Sequence, residues 1–474
     1  MSSRPPVIWW IRRDLRLGDN PALTAAVNSG APVLPVYILD EQEEALGAAP
    51  KFRLGLGLEH FGQDLAKAGS RLILRRGNAR AVLQALIKDT GAGAVFWSRL
   101  YDPQAITRDT DIKQQLKAQG IKAESHGGRL LFEPWTARTK ADGMFKVFTP
   151  FWKAVRGRDV ASLLPAPAKL SAPDSWPASE DLASWHMDAA MRRGADVVKR
   201  YCRAGEAAAQ ARLDEFLEHA VDAYKARRDF PGEDATSGLS ENLAWGEISP
   251  HRMWHQGRAA MERGSQGVEH FLKEIAWREF AYHLMYNSPQ ILTGSWREEW
   301  QAFPWSQDIT PQVQAWQRGQ TGYGFVDAAM RELYVTGTMH NRARMIVASF
   351  LTKHLMTHWK IGMDWFSDTL VDWDPASNAM GWQWVAGSGP DAAPFFRVFN
   401  PSGQLEKFDP EGTYTRRWIA EGQGSPPPTA LDFFDAAPFS WDLAPDMPRA
   451  DPVVSLQAGR ERALAAYHAA RETR

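Results

Sequence analysis

Cysteine is almost missing: Cys202 is the only one in 474 residues. That excludes an intrachain disulfide and any cysteine-rich zinc site, and it fits a reducing, cytoplasmic setting with no metal centre. Net charge is missing too. Lys and Arg number 55 against 56 Asp and Glu, a formal charge of -1, so any nucleic-acid binding has to come from local clusters rather than bulk charge. There is no long apolar run. The N-terminal "VIWWI" is broken by Arg12 and Arg13, too short for a signal peptide or a spanning helix, and no membrane association is expected. Heptads and internal repeats are absent. No G-x-G-x-x-G follows the first apolar run, which removes the dinucleotide fingerprint. Tyrosine is scarce, 10 against 21 tryptophans. The indole excess, with Trp382 and Trp384 two apart in "GWQW", asks for a use beyond packing.

What is present reads as globular: 44% hydrophobic and 23% charged residues, over a length that calls for two or three domains. Apolar runs at 7–11, 32–39, 71–75, 94–98 and 122–128 read as strands, and segments 21–29, 52–69, 79–89 and 103–119 read as helices. Strands alternating with helices predict a doubly wound parallel sheet over residues 1–135. Residues 136–200, rich in Pro, Ala and Ser around 163–182, read as a connection that wraps a surface. Residues 201–474 are expected to form an almost all-helical domain, with helical apolar spacing at 267–286, 322–337, 338–360, 364–374 and 455–471. The fold class is thus α/β plus all-α.

Several segments carry chemistry-bearing residues. In "EIAWREF", Glu274, Trp277 and Arg278 share one side of a helix. They suit the wall of a site for a polar aromatic ligand; the plain alternative is an exposed helix with an ordinary ion pair. In "MHNRARM", Asn341 and Met345 face one way, and an asparagine, donor and acceptor at once, suits a base edge. From Leu333 to Met363 there is no Asp or Glu, while Arg342, Arg344, Lys353 and Lys360 are present. That is a strip for a phosphate backbone, or a helix whose acids come from elsewhere in the fold. In "RRDFPGEDATSGLSENLAWGEIS", Thr236, Ser237, Gly238 and Ser240 offer hydroxyls and N–H groups to a phosphate near a helix start, or simply cap that helix. Trp305, Trp359 and Trp382 are either core residues or a row of indoles, easily oxidised by one electron, that passes a hole outward.

Together "WWIRRDLRLGDNPAL", "RDFPGEDATSGLSENLAWGEISP", "EIAWREFAYHLM", "AWQRGQTGYGFVDAAMRELYVTGTMHNRARMIVASFL" and "DPASNAMGWQWVAGSGPDAAPFFRVFNPSGQLEKFDPEG" resemble the photolyase/cryptochrome family, in the right order along most of the chain. The pattern looks most like a bacterial photolyase for cyclobutane pyrimidine dimers. The resemblance implies an N-terminal antenna domain, a helical domain holding a U-shaped FAD (active as FADH⁻), and electron transfer to the dimer under blue light with no net redox. It implies FAD contacts from Tyr224, Thr236, Ser237, Gly238, Leu239, Ser240, Glu274, Arg278, Arg344, Asp372 and Asp374. Asn378 would face flavin N5 and favour its protonated forms. Glu274, Trp277, Asn341, Met345 and Trp384 would line the dimer pocket, and (6–4) photolyases, with histidine at the positions of Asn341 and Met345, are disfavoured. Trp382, then Trp359 and Trp305, would form the electron relay. Arg228, Arg342 and Gln404 match DNA-contact positions, so UV-damaged DNA is the implied partner, met by a monomer. "WSRLYDP" and "LLFEPW" make Glu133 a candidate pterin contact, with methenyltetrahydrofolate the first antenna expected and a deazaflavin the second. Gly238, Gly324 and Thr338 depart from common family patterns. The alternative function is a cryptochrome-type photosensor.

Overall fold

The computed structural model describes residues 4–472 apart from 394 and 396. Five strands, β1 Val7–Ile11, β2 Val33–Leu39, β3 Ile73–Arg76, β4 Ala94–Ser98 and β5 Lys122–His126, form one parallel sheet in the order β3-β2-β1-β4-β5. Val7 lies opposite Val33 on one side and Ala94 on the other. β1, β2 and β4 are buried along their whole length, as expected of strands covered on both faces, and this is why they read as unbroken apolar runs. Helices α1 Pro21–Asn28, α2 Ala48–Lys67, α3 Ala79–Thr90 and α4 Pro103–Ala118 make the crossovers. Asn20 caps α1 by accepting from Leu23 N at 3.1 Å, with Pro21 at its first position.

The connection is less superficial than its composition suggests. Helix α5, Phe148–Val155, buries Phe148, Phe151, Trp152 and Val155 in the core of the helical domain, whose main elements are α6 Val268–Asn287, α7 Gly324–Thr336, α8 Asn341–Ser349, α9 Trp359–Thr369, α10 Pro375–Ala386, α11 Pro401–Phe408 and α12 Leu456–Glu472. The helix expected over 338–360 is broken. After α8 a π-turn covers Phe350–His354, Met356 is left-handed at φ 51°, and Ser306 pairs with Thr357 in a short parallel bridge. His358 then caps α9, its Nδ1 accepting from Lys360 N at 3.1 Å. The helix expected over 364–374 stops at Thr369, where Leu370 turns extended and the Val371 N–H donates to the Gly337 carbonyl at 2.8 Å. The apolar spacing ran straight across that boundary.

Candidate active site

Helices α6 and α8 both pack on α10, as does α9, and this junction gathers most of the expected residues. Asp374 caps α10, accepting from Ser377 N at 2.8 Å. Burial pushes its carboxyl up, but Arg278, the Ser377 N–H, Tyr282 and Arg129 outweigh this and hold it below its ordinary value, so it is ionised. The Asn378 side-chain NH2 donates to the Asp374 carbonyl at 2.9 Å. A carbonyl only accepts, so the amide orientation is chemically fixed and Oδ1 remains to face a donor. Arg344 donates from Nη2 to Asp372 at 2.7 Å and from Nε to the Met339 carbonyl at 2.8 Å. The other Asp372 oxygen is buried and, among the described residues, has no partner. A buried acceptor left open is costly unless a ligand donor meets it. Arg278 donates to the Arg129 carbonyl at 2.8 Å. These amide, carboxylate and guanidinium groups are of the kinds that could hold FAD.

The expected phosphate loop lies ahead of a short helix, Ser240–Trp245. Leu239, not Ser240, occupies the cap position and no side chain caps this helix, which removes the capping reading of Ser240. Gly238 is left-handed at φ 60°, a conformation natural to glycine, and its carbonyl accepts from Arg212 at 2.6 Å. Thr236, Gly238 and Ser240 are exposed, Ser237 is half-buried and Leu239 is buried. Tyr224 begins a one-turn helix and packs on Phe216 and Phe271.

Among the residues expected to line the dimer pocket, Trp277 stacks on Phe148 at 3.6 Å and 8°. Glu274 pairs with Arg228, whose guanidinium also lies over Tyr224 at 5.2 Å. Trp384 and Met345 are half-buried and Asn341 is exposed at the start of α8. His340 serves as the cap of α8, accepting from Arg342 N at 3.1 Å, and burial pushes its ring down to about 4, so it is neutral. Gln404 sits on α11 with its Oε1 buried and unpartnered among the described residues. The acid-free strip from Leu333 to Met363 is not a bare positive surface. Arg342 pairs with Asp229 at 2.7 Å, Arg344 with Asp372, and Lys360 with Asp364, and Lys353 is fully buried. The acids come from elsewhere in the fold, as the plainer reading of that strip allows.

Of the three indoles expected to form a relay, Trp382 is buried, edge-on to Phe366 at 5.0 Å and to Trp316 at 6.2 Å. It lies against Gly362 so closely that a Cβ there would come within 2.1 Å of the indole. Trp359, one turn earlier on α9, touches His358 at 5.2 Å, and His358 meets Trp305 at 5.5 Å. The Ser306–Thr357 bridge holds these two segments together. Trp305 is only 6% exposed, enclosed by Trp300, Phe303 and Phe395.

Glu133 is held by Arg99 at 2.6 Å and by the Tyr101 hydroxyl at 2.9 Å. Beside it Trp135 is exposed, with Tyr286 at 5.6 Å and Arg99 over its ring. A cleft of about 460 Å³ between the domains is lined by Arg16, Lys67, Glu206 and Arg252, and a second of about 300 Å³ by Tyr334, Trp365 and Trp441. None of the expected residues lines either cleft. Thr338 shares a 3.0 Å hydroxyl contact with Thr336, and Gly324 opens α7.

Glu279, not expected from the sequence, is fully buried on α6 and accepts the N–H groups of Leu131 and Phe132 at 2.8 and 3.2 Å. Burial pushes its carboxyl up to about 7, against the pull of Arg278 and those two N–H groups. The folded protein therefore binds this proton more tightly than the unfolded chain, so its contribution to stability is full at low pH and is lost as pH rises through about 7. Glu279→Gln stays neutral throughout. Between pH 5 and 8 the stability of the parent is expected to fall relative to that of the variant by up to about 3 kcal/mol, read from denaturation midpoints at the two pH values.

Fold and site together define a two-domain protein, a parallel-sheet unit joined to a helical one with a buried centre suited to a polar aromatic cofactor. Two family models match: DNA photolyase over residues 7–170 and the FAD binding domain of DNA photolyase over residues 271–469. A deoxyribodipyrimidine photo-lyase of Agrobacterium fabrum is 45% identical over 475 residues, 99% of this chain and 98% of the relative. Cryptochrome-2 of Arabidopsis thaliana is 36% identical over 432 residues, 87% of this chain and 70% of its own length. The crystal structure of a bacterial class III photolyase from Agrobacterium tumefaciens matches with a TM-score of 0.92 at 44% identity, over 100% of this chain and 98% of that one. The chain belongs to the DNA photolyase family, and its helical domain is an FAD-binding domain. Among the described residues no helix is long and apolar enough to cross a membrane.

Proposed function

We propose that this chain is a light-dependent DNA repair enzyme, a deoxyribodipyrimidine photolyase acting on cyclobutane pyrimidine dimers, with residues 1–135 as the antenna domain, 136–200 as the connection and 201–474 as the catalytic domain. The observation that carries the reading is Asn378: its NH2 is tied to Asp374 O at 2.9 Å, so its oxygen is an acceptor for a protonated flavin N5. An acid here, as the family's plant cryptochromes carry, would serve other redox chemistry. Reduced FAD, when bound, supplies the electron that opens the dimer in blue light and recovers it afterwards. Asp372, Arg344, Arg278 and the 236–240 loop bind and orient it. Trp277, backed by Phe148, and Trp384 supply flat apolar walls for the damaged pair, which must leave the duplex as in other enzymes that process flipped bases, photolyases among them. Glu274, beside Arg228, is the acid that hydrogen-bonds a thymine carbonyl or N3–H, which requires it to share or exchange its arginine partner. Asn341 and Met345 complete the pocket.

Arg228, Arg342 and Gln404 meet the DNA. Arg342→Ala is expected to weaken binding of damaged and undamaged DNA alike and to reduce the slope of log K against log salt by about 0.9, the value for one phosphate contact. Methenyltetrahydrofolate is the antenna proposed first, with a deazaflavin second. A parallel sheet of this order has its ligand crevice where β1 and β4 diverge. There Arg12 is tied to Asp109 at 2.7 Å and to the Ser98 carbonyl, and Arg108 to Asp40 at 2.5 Å. The corner formed by Glu133, Arg99, Tyr101, Trp135 and Tyr286 instead presents an open indole face. The single cysteine supports a cytoplasmic setting, and the chain is taken to act as a monomer.

The test is purified, photoreduced protein mixed with a thymine-dimer oligonucleotide under blue light, with a dark control. Restored thymine absorbance in light alone is the expected result. A flavin that photoreduces while the dimer persists would move the assignment to a photosensor.

A further inference from the structure

The sheet domain reaches the flavin centre through one buried chain of hydrogen bonds. Arg129 follows β5 in the loop that Glu279 grips, and it is 3% exposed. One of its terminal nitrogens donates to the Arg13 carbonyl and the other to the Tyr282 hydroxyl at 3.1 Å. Tyr282, 4% exposed on α6, donates in turn to Asp374 Oδ2 at 2.7 Å. The remaining Asp374 oxygen caps α10 at Ser377, and its main-chain carbonyl receives both the backbone N–H of Asn378 at 3.0 Å and the side-chain NH2. Arg278 closes the circuit, donating to the Arg129 carbonyl with its guanidinium 4.9 Å from the Tyr282 ring. A carboxylate at a helix cap turns about its side-chain bonds unless its second oxygen is anchored. Here the anchor is Tyr282, and the anchor of Tyr282 is an arginine from the other domain.

We propose that Tyr282 and Arg129 are positioning residues that fix the Asp374 cap and, through it, the orientation of the Asn378 amide, so that the sheet domain sets the hydrogen bond offered to the flavin ring. The inference rests on the reading of Asn378 as the flavin-facing amide. Neither residue touches the cofactor in this account. Each acts through Asp374, and a guanidinium–phenol–carboxylate series in a buried site is stronger than its isolated links.

The experiment uses the full chain with Tyr282→Phe, which keeps the ring and removes only the hydroxyl, and Arg129→Lys, which keeps the charge but cannot reach two acceptors as a fork. Amide hydrogen exchange of the apoprotein at Ser377 and Asn378 is followed first. Both variants are expected to exchange at least about tenfold faster there, the effect of losing one charge-assisted hydrogen bond, with the end of α10 unaffected. The midpoint potential of bound FAD is measured second, and it is expected to move in both variants and in Asn378→Ala, while FAD affinity in the two positioning variants stays within about threefold. Unchanged exchange at the cap in a folded Tyr282→Phe protein overturns the proposal. Faster exchange with an unmoved potential also overturns it, provided Asn378→Ala shifts the potential. If Asn378→Ala leaves the potential unmoved, the flavin-facing reading of Asn378 falls and the proposal falls with it.

Discussion

Trp382→Phe is expected to slow light-driven reduction of the bound flavin by about 100-fold or more, because oxidising benzene rather than indole raises the barrier by well over about 3 kcal/mol and each 1.36 kcal/mol is a factor of ten. Protein reduced chemically beforehand is expected to repair dimers at a rate near that of the parent, since a relay would restore the cofactor and take no part in splitting the dimer. The two assays together separate a relay role from a packing role. Trp382 is buried against Phe366 and Gly362, so the smaller ring leaves a void and a modest loss of stability. A packing role alone would therefore depress both assays through lost flavin, and FAD content per chain decides that point. Trp316 stands 6.2 Å from Trp382. Photoreduction that survives in Trp382→Phe and vanishes in the double variant would give the first step to Trp316 instead.

Trp277→Ala should have the second large effect. Stacking of a base on an aromatic side chain is worth about 1–3 kcal/mol, so affinity for dimer-containing oligonucleotide is expected to fall between about 10- and 100-fold, measured by fluorescence anisotropy in the dark. Affinity for undamaged DNA, which is held through phosphates, should change by no more than about threefold. Phe148 packs face to face on Trp277 at 3.6 Å, and the alanine variant leaves that ring half uncovered. Trp277→Phe keeps both stacks and is expected to recover most of the affinity. Equal losses on damaged and undamaged DNA would remove Trp277 from the dimer pocket.

How much of this was legible in the sequence depends on how far apart the partners lie. β1 and β4 occupy the residues expected, because burial on both faces leaves an unbroken apolar run, rich in branched and aromatic residues, of strand length. α9 was misplaced because Leu370, Val371 and Trp373 keep an apolar rhythm beyond Thr369, where the helix stops. The residues offered for the flavin and the dimer came from resemblance to a family, not from spacing; spacing alone left Glu274, Trp277 and Arg278 as an ordinary helix face. Arg129, Glu279 and Tyr282 went unnoticed. Their hydrogen bonds join residues 92 to 153 positions apart. One signal was available: Glu279 falls among Ile275, Ala276, Phe280 and His283, all buried, and an acid on the core face of a helix demands a partner.

That Glu279 contact also orders events during synthesis. The sheet domain leaves the ribosome first, and domains generally fold as units from the N-terminus. Leu131 and Phe132, however, find their N–H acceptor 148 and 147 residues later in the chain. Until α6 has been made, the loop carrying Arg129 has open backbone donors, and a nascent chain halted before it would display them to solvent. The sheet can form early, but the loop carrying Arg129 can satisfy these backbone donors only when the helical domain docks, which makes docking, rather than strand pairing, the step that closes it.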